Sequence, residues 1–234
     1  WKIGGALASG CATVVLPSPS GVLSTIHALR VLEEADIPPG AINLVVGGAD
    51  IGRQLTSAPE VDMVSFTGSA KTGSRVMAQA AETTKKVVLE LGGKSPNILL
   101  PSADIEECVA PSILRFARNA GQGCGSTTRI LVPRDRYDDF MARATLFLEE
   151  LEVGDPMNPS TVVGPLINDQ HRVWVEDLLD RAVSRGATIA AGGGRPDIAT
   201  GYYLNPALVT GVSNDAEVCQ EELFAPVASA IFPW

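Results

Sequence analysis

A chain of 234 residues, 45% hydrophobic and 19% charged, is long enough for one large or two modest domains with real cores, which excludes disorder and fibrous repeats. Its 18 Lys and Arg against 27 Asp and Glu give a formal charge of −9, and five scattered lysines form no basic face, so nucleic acid is not an expected partner. Two histidines and four cysteines (Cys11, Cys108, Cys124, Cys219), with no C-x-x-C pair or zinc-finger spacing, argue against a metal site and against a disulfide scaffold, and suit a reducing, cytoplasmic compartment.

From Ile3 to Leu29 there is no charged residue, yet Gly4, Gly5, Gly10, Pro17, Pro19 and Gly21 break the stretch, so no run of about 20 apolar residues exists to cross a membrane. Continuous apolar runs at Ala12–Leu16, Ile42–Val46, Val61–Phe66 and Lys86–Leu89 predict parallel strands buried on both faces. Between them Val22, Ile26, Leu29 and Leu32 recur at helical spacing and stop before Asp36-Ile37-Pro38-Pro39-Gly40. A second helix should follow Gly48, and a third should start at Ser69 with Val76, Met77, Ala80 and Ala81 as its inner stripe. This alternation predicts an α/β fold with a doubly wound parallel sheet, an architecture that favours a nucleotide.

Past Glu90-Leu91-Gly92-Gly93 the pattern changes to longer helices and glycine-rich loops. Helical stripes run over Ile105–Phe116, Tyr137–Leu151 and Val175–Val183, the last ended by Gly186. Strands are expected at Ile130–Pro133, Thr188–Ala191, Ala207–Val209 and Val227–Ile231. A boundary near Gly93 divides the chain into two α/β domains, 1–92 and 93–234. Trp1 and Pro233-Trp234 look like cuts through a larger sequence.

Four strings could carry chemistry. In Ser65-Phe66-Thr67-Gly68-Ser69 a strand turns through glycine into a helix whose free amides and dipole attract an anion, although an ordinary N-cap reads the same way. The loop at Gly47-Gly48 also follows a strand but lacks the G-x-G-x-x-G register. In Gly121-Gln122-Gly123-Cys124-Gly125 the flanking glycines leave the thiol unshielded, which suits a nucleophile; a small buried hydrophobe is the alternative. Cys108 lies in a helical stripe and is assigned to packing, as are Cys11 and Cys219. Glu90 ends an apolar strand, where a carboxylate is costly unless desolvated for general-base work or paired with Lys94 or Lys86. The fourth string, Glu221-Glu222-Leu223-Phe224-Ala225-Pro226, means nothing by itself.

Together these strings, with Glu90-Leu91-Gly92-Gly93-Lys94-Ser95-Pro96, Gly154-Asp155-Pro156 and Gly164-Pro165-Leu166-Ile167, resemble the aldehyde dehydrogenase superfamily over nearly the whole chain, in order and in the 34-residue step from Glu90 to Cys124. The resemblance implies oxidation of a small-molecule aldehyde to a carboxylic acid with NAD or NADP. It makes Cys124 the nucleophile and Glu90 the general base, and it gives the coenzyme to Gly47, Phe66, Gly68, Ser69, Glu222 and Phe224, with Gln170 as a further ribose contact. No metal is implied, and the relatives form homo-oligomers, dimers or tetramers. Glu90 favours hydrolysis of the thioester over its transfer to coenzyme A.

The departures bear on the coenzyme. The family pattern V-V-L-K-P-S-E is replaced by Val14-Val15-Leu16-Pro17-Ser18-Pro19-Ser20, which removes a lysine and puts Pro19 at the place of the glutamate. The family's oxyanion asparagine would lie just upstream of Trp1, and its strand-exchanging segment beyond Trp234. A catalytically silent fold that binds nucleotide or a partner is the alternative reading; a third is ester hydrolysis by Cys124 with His171, oriented by Asp169.

Overall fold

The structure, a computed structural model, describes residues 2–232, so the terminal residues Trp1, Pro233 and Trp234 lie outside the described residues. The chain forms two compact units, Trp1–Leu91 and Gly92–Trp234.

The first unit runs α1 (Lys2–Ala8), β1 (Thr13–Val15), α2 (Val22–Glu33), β2 (Ile42–Leu44), α3 (Ala49–Ser57), β3 (Met63–Gly68), α4 (Ala70–Ala81) and β4 (Lys86–Leu91). Every strand is followed or preceded by a helix, as the alternation of apolar runs and helical stripes predicts. The helix α2 stops where Asp36 turns left-handed (φ 51°) ahead of Pro38-Pro39. The strands pair in parallel, β1 with β2 and β3 with β4, as two separate pairs rather than one continuous sheet. The expectation of burial on both faces is not met. Burial alternates along β3 and β4, and Val14, Met63 and Val88 are 47%, 51% and 41% exposed, because within these pairs only one face is covered. The turn α1 was not expected, since Gly4 and Gly5 make its sequence a poor helix former.

In the second unit follow β5 (Ser95–Ile98), α5 (Ile105–Ala117), β6 (Thr127–Leu131), α6 (Tyr137–Glu149), α7 (Asp169–Ser184), β7 (Thr188–Gly192), β8 (Ala207–Thr210), α8 (Glu217–Gln220) and β9 (Val227–Ile231). They build a five-stranded sheet in the order β5-β6-β9-β8-β7, parallel except for the β7–β8 pair. All five residues of β9 are buried, which is why its sequence holds only small or apolar residues, with Ser229 its one polar member. Alternate residues feed two cores. Leu208, Ala228 and Ala230 pack with Ile113, Phe116 and Phe140, whereas Ala207, Val209, Val227 and Ile231 pack with Val175, Leu178 and Leu223. No apolar run marks the strand β5, because Pro96 breaks its pattern; it sits at the sheet edge, where a missing N–H is tolerated.

Candidate active site

Parallel pairing brings distant motifs to one place. Because β5, β6 and β9 are adjacent and parallel, the segments that precede them leave the same end of the sheet: Gly92-Gly93-Lys94, the Cys124 loop, and Glu221–Pro226. Cys124 occupies the first central position of a β-turn closed by the Ser126 amide donating to the Gly123 carbonyl (3.1 Å), directly before β6. Its thiol is exposed, while the base of the loop at Ala120 and Gly121 is buried.

The loop's path is over-determined. Asn119, Ala120 and Gly121 are all left-handed (φ 54°, 51° and 68°), a conformation that costs non-glycine residues of the order of 1–3 kcal/mol each unless held by the surroundings. Gly121 runs so close to the neighbouring segment that a Cβ there would overlap the Ala225 backbone. Gln122 supplies the other restraint. Its Oε1 accepts from the Ile167 amide (2.9 Å), and its Nε2 donates to the carbonyls of Pro165 and Asn119 (both 3.3 Å). The Gly164–Ile167 string is thereby tied to the nucleophile loop.

The Glu221–Pro226 segment shows the same economy. Leu223 and Ala225 are buried in the core, which throws the intervening Phe224 outward, 41% exposed and left-handed at φ 49°. Its carbonyl accepts from the His171 ring at Nε2 (3.0 Å), and the His171 ring stacks on Trp174. A neutral hydrogen bond of about 1 kcal/mol is comparable with the strain at Phe224. Since a carbonyl only accepts, this Nε2 carries the hydrogen and is engaged. Asp169 in turn pairs with Arg172. Among the described residues Cys124 and His171 share no hydrogen bond, and the His171 Nε2 and the Asp169 carboxylate that such a dyad would use are both engaged with other partners.

Glu222 is half-buried, with its carboxylate seated on the Cα of Gly92; a Cβ there would overlap it. Two residues on, the Lys94 Nζ is buried without a hydrogen-bond partner. Burial holds its pKa down to about 8; Cys219 opposes that shift, Arg129 adds to it, and Glu222 and Glu221 oppose it.

Within the first unit, Glu90 stands opposite Thr67 in the β3–β4 register, one step from the Gly68–Leu91 pair, and so at the same strand end as Ser69. The expected desolvated or lysine-paired carboxylate is not found: Glu90 is exposed on the uncovered face of β4, forms no salt bridge with Lys86 or Lys94 among the described residues, and has the Lys2 ammonium as its charged neighbour. Ser69 caps α4 by accepting from the Thr72 amide (3.3 Å), which leaves the amides of Ala70 and Lys71 without intrahelical acceptors. The helix α3 begins at Gly48 with no side-chain cap. Two helix N-termini, following β2 and β3, thus carry open donors of the kind that bind phosphate. The space beside Gly68 is taken by the Phe66 ring, and that beside Gly47 by Ile51. The absent side chains let neighbouring residues close over the strand ends, rather than leaving an open approach at Gly68. Gln170 is exposed in the first turn of α7. Cys11, assigned to packing, is exposed. Among the described residues no group of three His, Cys, Asp or Glu could hold a metal, and no helix is long and apolar enough to cross a membrane.

The local sequence pattern carries no role for Gln122 or for Arg129, whose Nε donates to the Lys94 carbonyl (2.8 Å), and it offers Lys94 only as a salt-bridge partner of Glu90. Each acts through partners 35 or more residues away, a relation that no local pattern encodes.

The assembled geometry agrees with comparison to known proteins. The aldehyde dehydrogenase family profile matches residues 1–232, and the chain belongs to that family. It is 41% identical over 229 residues to a 3-succinoylsemialdehyde-pyridine dehydrogenase of a Pseudomonas species, covering 97% of this chain and 48% of that protein. It is 42% identical over 231 residues to the mitochondrial succinate-semialdehyde dehydrogenase of Arabidopsis thaliana, covering 98% and 44%. Among solved structures it is similar to aldehyde dehydrogenase C of Pseudomonas syringae, determined with NAD+ and octanal, at a TM-score of 0.95 and 37% identity over 98% of this chain and 48% of that one. Betaine aldehyde dehydrogenase of Staphylococcus aureus with NAD+ gives a TM-score of 0.96 at 37% identity, over 99% and 47%. The chain spans about half the length of the relatives it matches.

Proposed function

We propose that the chain carries the coenzyme-binding and thiol-bearing part of an enzyme that oxidises an aldehyde to a carboxylic acid with NAD(P). The observation that carries this reading is the Cys124 turn: an exposed thiol on a rigidly held loop, at the sheet end that also presents Glu222 and Phe224. In this reading the Cys124 thiolate adds to the aldehyde carbon, giving a tetrahedral thiohemiacetal adduct whose former carbonyl oxygen carries the charge. A bound NAD(P) would supply the hydride acceptor for this carbon. The resulting thioester is hydrolysed by a water whose proton Glu90 takes, and the Cys124 thiolate is released with the acid. Glu222 holds the nicotinamide ribose, Phe224 packs beside the ring, and Gly47, Phe66, Gly68 and Ser69 line the adenosine side, with Gln170 as a lesser ribose contact.

A cytoplasmic location is supported by four free cysteines, and a homo-oligomer by the apolar Ile98 and Leu100 left exposed at the β5 edge. A silent, nucleotide-binding fold is the second reading, favoured by the altered Val14–Ser20 element. Calorimetry with NAD+ and NADP+, followed by absorbance at the reduced-nicotinamide band with assorted aldehydes, tests the proposal. Binding with aldehyde-dependent reduction that Cys124→Ala abolishes is expected. Binding without reduction would favour the silent fold.

A further inference from the structure

His171 contributes nothing to the chemistry proposed above, yet it is the side chain that grips the strained residue of the Glu222–Phe224 segment. Phe224 is a left-handed, non-glycine residue whose ring projects outward, and such a backbone persists only where its surroundings fix it. The flanking Leu223 and Ala225 anchor the chain in the core, and the Gly121 backbone blocks it from one side. The Phe224 carbonyl is held by the His171 ring at 3.0 Å. That ring is itself immobilised. Its main-chain amide donates to Asn168 Oδ1 (2.8 Å) at the cap of α7, and its face stacks on Trp174 at 5.7 Å.

We propose that His171 is a positioning residue for the coenzyme: its Nε2–H holds the Phe224 carbonyl and so fixes the turn that presents Phe224 and Glu222. The inference rests on the coenzyme role proposed above for those two residues. Without the bond, the turn samples other backbone conformations, and coenzyme binding must restore the productive one at the expense of affinity. The hydrogen bond also draws α7, the Gly164–Ile167 string and the Glu221–Pro226 segment into one unit with the Cys124 loop, through Gln122.

His171→Phe keeps an aromatic ring for Trp174 and removes the donor, whereas His171→Gln returns an N–H to the side chain. Calorimetric titration of the protein with NAD+ should show about tenfold weaker binding for His171→Phe, or about 1.4 kcal/mol, with at least half of the loss recovered in His171→Gln. Amide hydrogen exchange over residues 222–226, measured without coenzyme, should quicken several-fold in His171→Phe alone. In turnover, KM for NAD+ should rise while kcat at saturating NAD+ changes less than twofold. Unchanged NAD+ affinity in a folded His171→Phe protein overturns the inference, and so does an equal loss in both variants, which would mean packing rather than the donated bond. If His171→Phe does not fold, His171→Leu read by the same titration and exchange takes its place. Phe224→Ala and Glu222→Gln serve as the control: if both bind NAD+ as the parent does, the coenzyme role fails and the inference with it. If they weaken binding and His171→Phe does not, the inference alone falls.

Discussion

Cys124 is exposed on its turn, whereas Cys108 is half-buried on α5 and Cys219 is fully buried at the end of α8. Alkylation followed by peptide mass mapping should therefore label Cys124 fastest, with the exposed Cys11 its only competitor among the four. Labelling of Cys108 or Cys219 ahead of Cys124 would remove the nucleophile assignment. Lys94 makes a different demand. Burial holds its amine near pKa 8, against an ordinary value of about 10.5, so between those values the unfolded chain binds more protons than the folded one and stability rises with pH. Below pH 8 both states are protonated and the full penalty is present, of the order of 3 kcal/mol. Lys94→Met should accordingly stabilise the fold by roughly 1–3 kcal/mol at pH 7, less whatever the nearby Glu221 and Glu222 lose in attraction, and the gain should shrink from pH 8 to 10.5. Urea melts at pH 7 and pH 10 measure both numbers; a gain that grows with pH would refute the burial account.

The connection between α5 and β6 is the element on which the candidate site depends. Three left-handed residues in succession reverse the chain after Ala117, and Gly121 lies against the Ala225 backbone, so the turn that presents Cys124 is built by contact with the segment entering β9. Gly121→Ala meets both obstacles, a positive φ and a backbone oxygen that cannot swing away. It is expected to cost about 2–4 kcal/mol, visible as a lower urea midpoint, and to change the reactivity of Cys124. A variant with parental stability would show that the loop path is looser than these contacts require. By contrast, Ser69 is an exposed cap at the start of α4, and its loss touches two local bonds, both to Thr72.

At the scale of the molecule, the proposed coenzyme role puts the choice between NAD+ and NADP+ on the Val14–Ser20 element, which begins in β1. A carboxylate there would accept bonds from the adenosine 2′-hydroxyl and repel a 2′-phosphate; Pro19 does neither, and with Ser18 and Ser20 the loop holds only neutral groups. Ser18 is partly occupied, since its Oγ accepts from the Ser20 amide and caps a short 3₁₀ turn. No lysine in this loop rewards the phosphate. The dissociation constants for NAD+ and NADP+ should therefore lie within about tenfold of each other, about 1.4 kcal/mol, and Pro19→Glu should shift preference toward NAD+. Calorimetry with both coenzymes decides it; a hundredfold native preference would place discrimination at another residue.

The sequence by itself determined the family, the α/β alternation and the order of the motifs, because these reside in local signals: apolar runs, helical stripes, the Ser69 cap, and strings such as Gly121-Gln122-Gly123-Cys124. It also located the five buried residues of β9 without error, since a strand covered on both faces keeps only small or apolar residues, and the single Ser229 leaves the run recognisable. Only the tertiary structure decided which of those strings meet. Parallel pairing of β5, β6 and β9 gathers Gly92, Cys124 and Glu222 at one sheet end, and the hydrogen bonds of Gln122 and His171 join residues 43 to 53 positions apart. The burial of Lys94 and the exposure of Glu90 were likewise beyond reach. Both are lysines or carboxylates at strand ends, and their solvation depends on what packs over them, a property of neighbours brought from elsewhere in the chain.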